Sequence, residues 1–260
     1  MKKNVLITGA TGAIAKAVAR IMAGNPAYRV VLVARDQEKA EYVARQISEE
    51  SGNPDISYLI ADLSRKQDIQ SIAGNWRGPV HILMNIAGVT PRQRLETPEG
   101  IEMQWATNVL GYFWMIRYFL PFLKNGAPSR IVNVASYWAG NLDLNDPEFK
   151  SKPYDNHTAY RQSKQADRML TVAFAEILKK EGITVNACHP GDVHSRLSHD
   201  LGFGGHETPE EGAATPVWSA TSPEVEGITG KYFEHLRETS CQFSTDHDSI
   251  EQLYEVCNSY

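Results

Sequence analysis

The sequence has few of the features that mark secreted, membrane-spanning or nucleic-acid-binding proteins. Only three cysteines occur in 260 residues, without a CxxC pair, so we expect reduced thiols in a cytoplasmic protein and neither a disulfide framework nor a metal site. No apolar run reaches the ~18 residues that a membrane span needs. A formal net charge of -5 argues against nucleic acid and anionic lipid as partners. These absences leave a small molecule as the expected ligand.

The overall composition is that of an ordinary globular domain. Hydrophobic residues make up 42% and charged residues 22% of the chain, values typical of folded proteins. No internal repeat, low-complexity tract or interdomain linker is visible, and this length suits one large domain. We therefore predict a single domain over residues 1–260. Its loosest stretch is 194–216, where glycines cluster and indicate a mobile loop over the substrate.

Short apolar, β-branched runs alternate with helical patterns along the chain. The predicted strands are 5–8, 28–33, 56–61, 80–85, 129–134 and 183–188, with a seventh near 230–233. The predicted helices include 36–50, 65–76, 99–123 with at least one break, and 160–180. Alternation at this spacing requires a parallel sheet with right-handed crossovers. We predict an α/β fold: a doubly wound, Rossmann-type parallel sheet of about seven strands with helices on both faces.

Polar or turn-forming residues follow four of the predicted strands. Asp62, Asn85, Ser136 and Pro190 each lie at or just after a strand end. In open α/β sheets, ligands bind at the carboxyl ends of the strands. We therefore expect these four residues to border one ligand site.

Tyr160 and Lys164 are four residues apart in a predicted helix, so their side chains share one face. A phenol normally titrates near ~10, and an ammonium group within a few ångströms lowers that pKa towards neutral pH. The pair is therefore a physical route to an acid–base tyrosine. Surface pairs of Tyr and Lys have the same spacing, and the rest of the chain has to decide between the two interpretations.

A glycine turn joins the first strand to a helical pattern in Thr8-Gly9-Ala-Thr-Gly12-Ala-Ile-Ala15. In the order strand, glycine turn, helix, backbone N–H groups and a positive helix N-terminus can approach a pyrophosphate. Alanine replaces glycine at the last position of the T-G-x-x-G-x-x-G register. Because that position mainly allows close helix–strand packing, we expect its methyl group to be tolerated.

Together these segments resemble the short-chain dehydrogenase/reductase family, from Lys3 to about Gly191. Within that family the chain looks most like the retinol-dehydrogenase-like branch, on the strength of residues 35–41, 127–134 and 226–234. The resemblance implies a catalytic set that contains Tyr160, Lys164, a serine and a helix asparagine. In the family, the backbone carbonyl of that asparagine holds a proton-relay water. By position, the members of that set are Asn108, Ser136, Tyr160 and Lys164.

The resemblance also implies a nicotinamide dinucleotide along the ligand edge of the sheet. The expected contacts are Gly9, Thr11, Gly12, Ala13, Ile14, Arg35, Asp62, Leu63, Asn85, Ala87, Gly88, Tyr160, Lys164, Pro190, Gly191, Val193 and Ser195. Asp62 has two open interpretations, an adenine contact or a helix N-cap. His189, beside the Pro190 turn, is expected to be structural.

The end of the second strand indicates which nicotinamide cofactor is used. NAD enzymes carry an acidic residue there to hold the ribose hydroxyls, whereas this chain has Ala34 followed by Arg35. A guanidinium group can pair with a 2′-phosphate, and we expect Asp36 to cap the following helix. NADP(H) is therefore predicted in preference to NAD(H).

Apolar side chains near the expected site indicate a lipophilic substrate. Trp138, Leu197 and Phe203 are predicted to line it, with Leu201 and Trp218 as further candidates, and ordinary core packing is the alternative for each. The resemblance implies that many relatives dimerise through helices near the insertion between Ser136 and Tyr160. A homo-oligomer is therefore left open.

The predicted reaction is hydride transfer between the nicotinamide and a carbonyl carbon, that is, a carbonyl reductase or ketoreductase. Two other functions are kept. One is a non-catalytic, NADP(H)-sensing regulatory protein. The other is a sugar-nucleotide epimerase or dehydratase, although only about 70 residues follow Gly191, which is short for the substrate domain of such enzymes.

Overall fold

Eight strands form one sheet in the computed structural model, which describes residues 2–260. The strands are β1 (Lys3–Thr8), β2 (Tyr28–Ala34), β3 (Ile56–Ile60), β4 (Ile82–Asn85), β5 (Ser129–Val134), β6 (Ile183–Cys188), β7 (Tyr232–Glu234) and β8 (Arg237–Thr239). Their order is β3-β2-β1-β4-β5-β6-β7-β8, parallel except for the antiparallel β7–β8 pair. The predicted doubly wound α/β fold is confirmed. The eighth strand was missed because it is only three residues long.

Helices cover both faces of the sheet. They are α1 (Ala13–Ala23), α2 (Gln37–Ser51), α3 (Lys66–Asn75), α4 (Gly111–Asn125), α5 (Asn156–Leu178), α6 (Arg196–Asp200), α7 (Pro209–Thr221) and α8 (His247–Asn258). The core beneath α1, α2 and α7 includes Val18 and Val43, and the core beneath α3, α4, α5 and α8 includes Phe113 and Phe174. Within residues 2–260, no helix is long and apolar enough to cross a bilayer.

Two helices begin about four residues away from their predicted starts, whereas α2 and α3 differ from their predicted bounds by one residue at each end. Helical structure ahead of α4 begins near Met103 rather than at 99, because Gly100 sits in a turn with φ of 82°. The break expected inside this helix is present as a π-helical segment, Trp105–Leu110. Helix α5 begins four residues earlier than predicted, because the Asp155 side chain caps it by accepting a hydrogen bond from the Thr158 N–H.

The prediction of a loose loop over 194–216 is wrong in its extent. Ser195 and Ser198 form a capping box that starts α6, and Thr208 and Glu211 form another that starts α7. The two ends of the remaining loop are joined, since the His194 N–H donates to the Glu207 carbonyl at 2.8 Å. The segment between these two residues is therefore a short loop with its ends held together, and it places α6 across the carboxyl edge of the sheet.

Candidate active site

A cavity of about 560 Å³ lies at the carboxyl ends of β4, β5 and β6. Many of the residues predicted as site residues border it: Ile14, Gly88, Ser136, Trp138, Tyr160, Lys164, Pro190, Gly191, Val193, Ser195, Leu197 and Phe203. The other predicted residues lie outside its walls: Gly9, Thr11, Gly12, Ala13, Arg35, Asp62, Leu63, Asn85, Ala87 and Asn108. The cavity therefore joins the predicted catalytic and substrate residues to only part of the predicted nucleotide site.

Helix α5 brings Tyr160 and Lys164 into this cavity from one face. Only 3% of Lys164 is exposed, and its Nζ donates to the Val134 carbonyl and to Asp167 Oδ2, both at 2.9 Å. The same Nζ lies 5.9 Å from the centroid of the Tyr160 ring. A buried ammonium held at this place excludes the surface-pair interpretation of the two residues.

The phenol of Tyr160 does not have the lowered pKa that the sequence predicted. Burial raises its pKa above the ordinary value, and this effect outweighs the opposing influences of the Lys164 charge and of hydrogen bonding with Ser136. The predicted direction of the lysine's influence is correct, but its size is smaller than the desolvation. Tyr160 is consequently a protonated phenol at neutral pH, the form that can donate a proton.

Ser136 lies where β5 ends and the cavity begins. Its side chain is 5% exposed, and its Oγ accepts a hydrogen bond from the Trp138 N–H at 3.0 Å. A hydroxyl group that accepts one bond still has its own proton to donate. Ser136 and Tyr160 therefore present two O–H groups to the same end of the cavity.

Asn108 supports the site from behind and does not line it. It is fully buried in the π-helical segment, where its side chain bonds both the N–H and the carbonyl of Val89 at 2.9 and 3.1 Å. Its Nδ2 also donates to Ser163 Oγ at 3.2 Å, which donates in turn to the Tyr160 carbonyl at 2.7 Å. The side chain thus ties the turn after β4 to α5, at a π-helical irregularity of the kind often found at functional sites.

The glycine turn after β1 leaves a helix N-terminus without a partner among the side chains. Gly12 is the N-cap of α1 without a side-chain cap, and the first turn of the helix carries no acidic residue. Gly9 adopts φ of 69°, and a Cβ there would lie 2.7 Å from the Ala87 Cα. The uncapped N–H groups of α1 beside Ile14 fit a pyrophosphate. Ala15 is buried in the core under α1, so its methyl group is accommodated.

The turn after β4 is held by side chains from neighbouring strands. Thr8 Oγ1 accepts hydrogen bonds from the N–H groups of Ile86 and Ala87 at 2.9 and 3.2 Å. Asn85 is buried, and its Nδ2 donates to Asn133 Oδ1 at 2.9 Å. The side chain of Asn85 therefore lies inside the sheet, whereas Ile86 and Gly88 of the turn line the cavity.

The charged residues after β2 and β3 differ in whether they bond to the rest of the protein. Arg35 is exposed and has no hydrogen bond or ion pair with residues 2–260, whereas Asp36 caps α2 and pairs with Lys39 Nζ at 2.9 Å. Asp62 Oδ1 accepts from the N–H and Oγ of Ser64 at 3.0 and 2.7 Å. Asp62 is not a helix N-cap, since that position of α3 is Arg65. Leu63 packs its side chain into the core.

Aromatic side chains form the outer wall of the cavity. The Trp138 ring centroid is 5.5 Å from that of His157, 6.2 Å from Phe203 and 6.3 Å from Tyr160. Leu201 also lines the cavity, but Trp218 does not: it packs on Phe233 in the core under α7, so that candidate is wrong.

The sequence did not single out Tyr137, His157 or His206 as lining residues. The position of His157 one turn before Tyr160 on α5 was the only local signal.

His189 borders the cavity as a neutral side chain. Burial lowers its pKa to about 4, and its ring packs edge-on against Tyr137 at 4.6 Å. Ser195, predicted to contact the cofactor, uses its hydroxyl to accept the Ser198 N–H at 3.1 Å as the cap of α6. Leu197 on the same helix lies against Gly88, whose added Cβ would be 3.3 Å from Leu197 Cδ1. Helix α6 therefore covers the turn after β4.

Known proteins resemble this chain in both sequence and fold. Residues 3–202 match the short chain dehydrogenase family. Retinol dehydrogenase 13 of Mus musculus is 35% identical over 259 residues, which cover 91% of this chain and 76% of that protein. A crystal structure of a protein from Mycobacterium paratuberculosis superposes with a TM-score of 0.83 over 99% of this chain and 92% of its own, at 24% identity.

A second solved structure contains a bound nucleotide. The NADP active-site complex of RhlG from Pseudomonas aeruginosa has a TM-score of 0.69 and 26% identity, covering 89% of this chain and 93% of its own. Together with the fold, these similarities agree with the resemblance deduced from the motifs. The chain belongs to the short-chain dehydrogenase/reductase family, in its retinol-dehydrogenase-like branch.

Proposed function

We propose that this protein is an NADP(H)-dependent oxidoreductase that interconverts a ketone or aldehyde and an alcohol on a bulky lipophilic or aromatic substrate. The observation that carries the proposal is the convergence of the Ser136 hydroxyl, the Tyr160 phenol and the buried Lys164 ammonium on one cavity. Membership of an oxidoreductase family supplies the reaction class. The individual roles follow from the groups themselves.

In the reductive direction, Tyr160 is the acid. Its protonated phenol donates a hydrogen bond and then its proton to the substrate oxygen, while the Ser136 hydroxyl donates a second hydrogen bond to the same oxygen. Lys164 stabilises the phenolate that remains. Bound NADPH would supply the hydride. Asn108 keeps α5 and the turn after β4 in register, and its backbone carbonyl is the proposed holder of the water that reprotonates Tyr160.

The preference for NADP(H) rests on the contrast between Arg35 and Asp36. The guanidinium group has no side-chain partner in the described part of the chain and can pair with a 2′-phosphate, whereas the carboxylate that would hold ribose hydroxyls caps α2. RhlG, which has the same fold, was solved as an NADP complex, and this supports the preference proposed for this chain.

The substrate class rests on the aromatic wall of the cavity. Trp138, His157 and Phe203 offer ring faces and edges to a flat or bulky apolar molecule. The relative named for retinol supports a lipophilic alcohol or carbonyl. Aromatic and polycyclic ketones are the first compounds to assay.

The experiment that tests the function is Tyr160→Phe, with Tyr42→Phe as its control. Tyr42 is 57% exposed on α2, so its hydroxyl group should not matter. Oxidation of NADPH with a panel of aromatic, polycyclic and retinoid carbonyl compounds should fall roughly 10²–10⁴-fold in Tyr160→Phe. Full turnover by Tyr160→Phe would refute the proposed mechanism. Tight NADPH binding without turnover of any compound would instead favour the cofactor-sensing alternative.

A further inference from the structure

A buried carboxylate lies directly against the lysine of the site. Asp167 is the third residue after Lys164 on α5, its side chain is completely buried, and its Oδ2 is 2.9 Å from Lys164 Nζ. The other oxygen, Oδ1, has no hydrogen-bond partner among residues 2–260. Nothing in the reaction described above uses this residue.

Stability alone does not account for such a pair. Burying two charges costs about as much as their attraction returns, and apolar pairs of similar volume often serve as well. Without a partner, moreover, a lysine this buried would lose part of its charge, because desolvation lowers an ammonium pKa. The presence of Asp167 reverses this: the net shift of the Lys164 pKa is upward despite burial.

The geometry of the ammonium group shows a second consequence. Lys164 has three N–H donors, of which one meets the Val134 carbonyl and one meets Asp167. These two acceptors hold the side chain against β5 and leave one N–H of the ammonium group without an acceptor among residues 2–260. The carboxylate therefore determines both the charge of Lys164 and the direction of its free N–H.

We propose that Asp167 is a positioning residue for the acid–base step, which it controls through Lys164. Its carboxylate keeps the ammonium protonated and oriented, and its negative charge cancels part of the field that the ammonium exerts on Tyr160. The pKa of the phenol is accordingly raised by Asp167 as well as by burial. This inference rests on the proposed function for its effect on turnover, but not for its effect on titration.

Other titratable groups also face this trio. They are Tyr112 from α4, Cys188 from β6, Cys257 from α8 and Asp192 from the turn after β6. Burial raises the pKa of Tyr112, and it raises that of Cys188 to about 12, so both are neutral at physiological pH. The two arginines of α5 stack on aromatic rings, Arg161 on Trp138 of the cavity wall and Arg168 on Tyr232. Asp167 is thus the carboxylate in direct contact with the ammonium.

The test compares Asp167→Asn with Asp146→Asn. Asparagine keeps an oxygen for Lys164 Nζ but removes the charge, and loss of a nearby negative charge lowers the pKa of every group around it. The coupled Tyr160–Lys164 titration should therefore move to lower pH by roughly one unit. Asp146 is a buried carboxylate of the loop between β5 and α5; it does not line the cavity, and it accepts hydrogen bonds from the Lys150 N–H and the Ser151 hydroxyl. Its variant should lose stability without a change in this titration.

Two readouts separate the inference from the proposed function. The first is the phenolate absorbance of each protein minus that of the same protein carrying Tyr160→Phe, which requires no substrate. The second is the pH dependence of NADPH oxidation, whose basic limb should move by the same amount. A shifted phenolate titration in a protein without turnover would leave the inference standing and refute the proposed function. An unshifted titration in folded Asp167→Asn would overturn the inference.

The wild-type protein supplies an independent measurement if Asp167→Asn does not fold. Nitrogen NMR of labelled lysine side chains reports the protonation of Lys164 directly, with the resonance assigned by its absence from Lys164→Met. We expect Lys164 to stay protonated beyond the ordinary lysine pKa of about 10.4. Deprotonation below that value would also overturn the inference.

Discussion

The carboxyl edge of the sheet consists of two halves that are built differently. The nucleotide half, at the ends of β1, β2 and β3, offers backbone N–H groups and an exposed arginine, Arg35. The catalytic half, at the ends of β4, β5 and β6, depends on side chains buried to within a few per cent, including Asn108, Lys164 and Asp167. In the proposed function, the first half binds the cofactor with surfaces open to solvent, and the second controls protons with groups removed from solvent.

The difference shows how each half tolerates charge. In the nucleotide half, charges are left for a ligand to neutralise: the N-terminus of α1 has no acidic residue in its first turn. In the catalytic half, the positive charge of Lys164 is balanced within the protein by the carboxylate of Asp167. Mutations that remove a charge should therefore reduce mainly binding in the first half, and stability together with proton transfer in the second.

The largest effect is expected from Lys164→Met, which leaves Asp167 buried without its partner. Removing one member of a buried ion pair costs about 3–5 kcal/mol in the free energy of unfolding. Burial holds the Asp167 pKa above its unfolded value, so the penalty exists where the unfolded carboxylate is ionised and shrinks as the pH falls and Asp167 protonates. Denaturant unfolding near pH 7 and near pH 5 measures both effects.

Lys152→Met is the matched control for that variant. Lys152 pairs with Asp143 at the same distance, 2.9 Å, but both side chains are substantially exposed, so the cost should stay below about 1 kcal/mol. The double variant Lys164→Met/Asp167→Leu should recover most of the lost stability. Equal losses of stability from the two lysine variants would show that the buried Lys164–Asp167 pair contributes no more than an exposed one.

A smaller effect is expected from Gly9→Ala, which is compared with Gly52→Ala. Both glycines have nearly the same positive φ, 69° and 67°, but a Cβ at Gly9 would meet the Ala87 Cα at 2.7 Å, whereas nothing lies within 4 Å of one at Gly52. Backbone strain should cost each variant roughly 1 kcal/mol. Crowding adds roughly 1–3 kcal/mol at Gly9 only. Thermal unfolding of both variants measures the difference, and equal losses would show that the turn after β1 can yield.

The same division explains which features the sequence could predict. The order of strands and helices, the glycine turn and the Asp36 cap are encoded by short runs of neighbouring residues, and the structure has all three. Strands β5 and β6 were predicted with their observed bounds. Where errors occurred in helix ends, a cap lay a few residues away, such as Asp155 ahead of α5.

Features that depend on distant residues were not predictable in the same way. The pKa of Tyr160 reflects burial by the whole fold, which no spacing along α5 reveals. Asp167 looks like an ordinary polar residue of a helix until the fold buries it against Lys164. The identity of the cavity wall likewise depends on how α6 crosses the sheet, which brings Phe203 to Trp138. Local patterns singled out the candidate groups that line the cavity, but they could not give the electrostatic environment of those groups.

The smallest expected effect, and the one that probes the nucleotide half alone, is that of Arg35→Gln. A charge-assisted contact with a 2′-phosphate contributes about 1.5–3 kcal/mol, so the NADPH dissociation constant should rise roughly tenfold or more, whereas that for NADH should hardly change. Arg45→Gln, on the exposed surface of α2, is the control. Fluorescence titration with each cofactor measures the ratio of the two dissociation constants. The contribution of Arg35 to NADPH affinity should weaken with added salt because Arg35 is exposed. If Arg35→Gln binds both cofactors as the unaltered protein does, the guanidinium group does not select the cofactor, and the nucleotide half discriminates through its backbone alone.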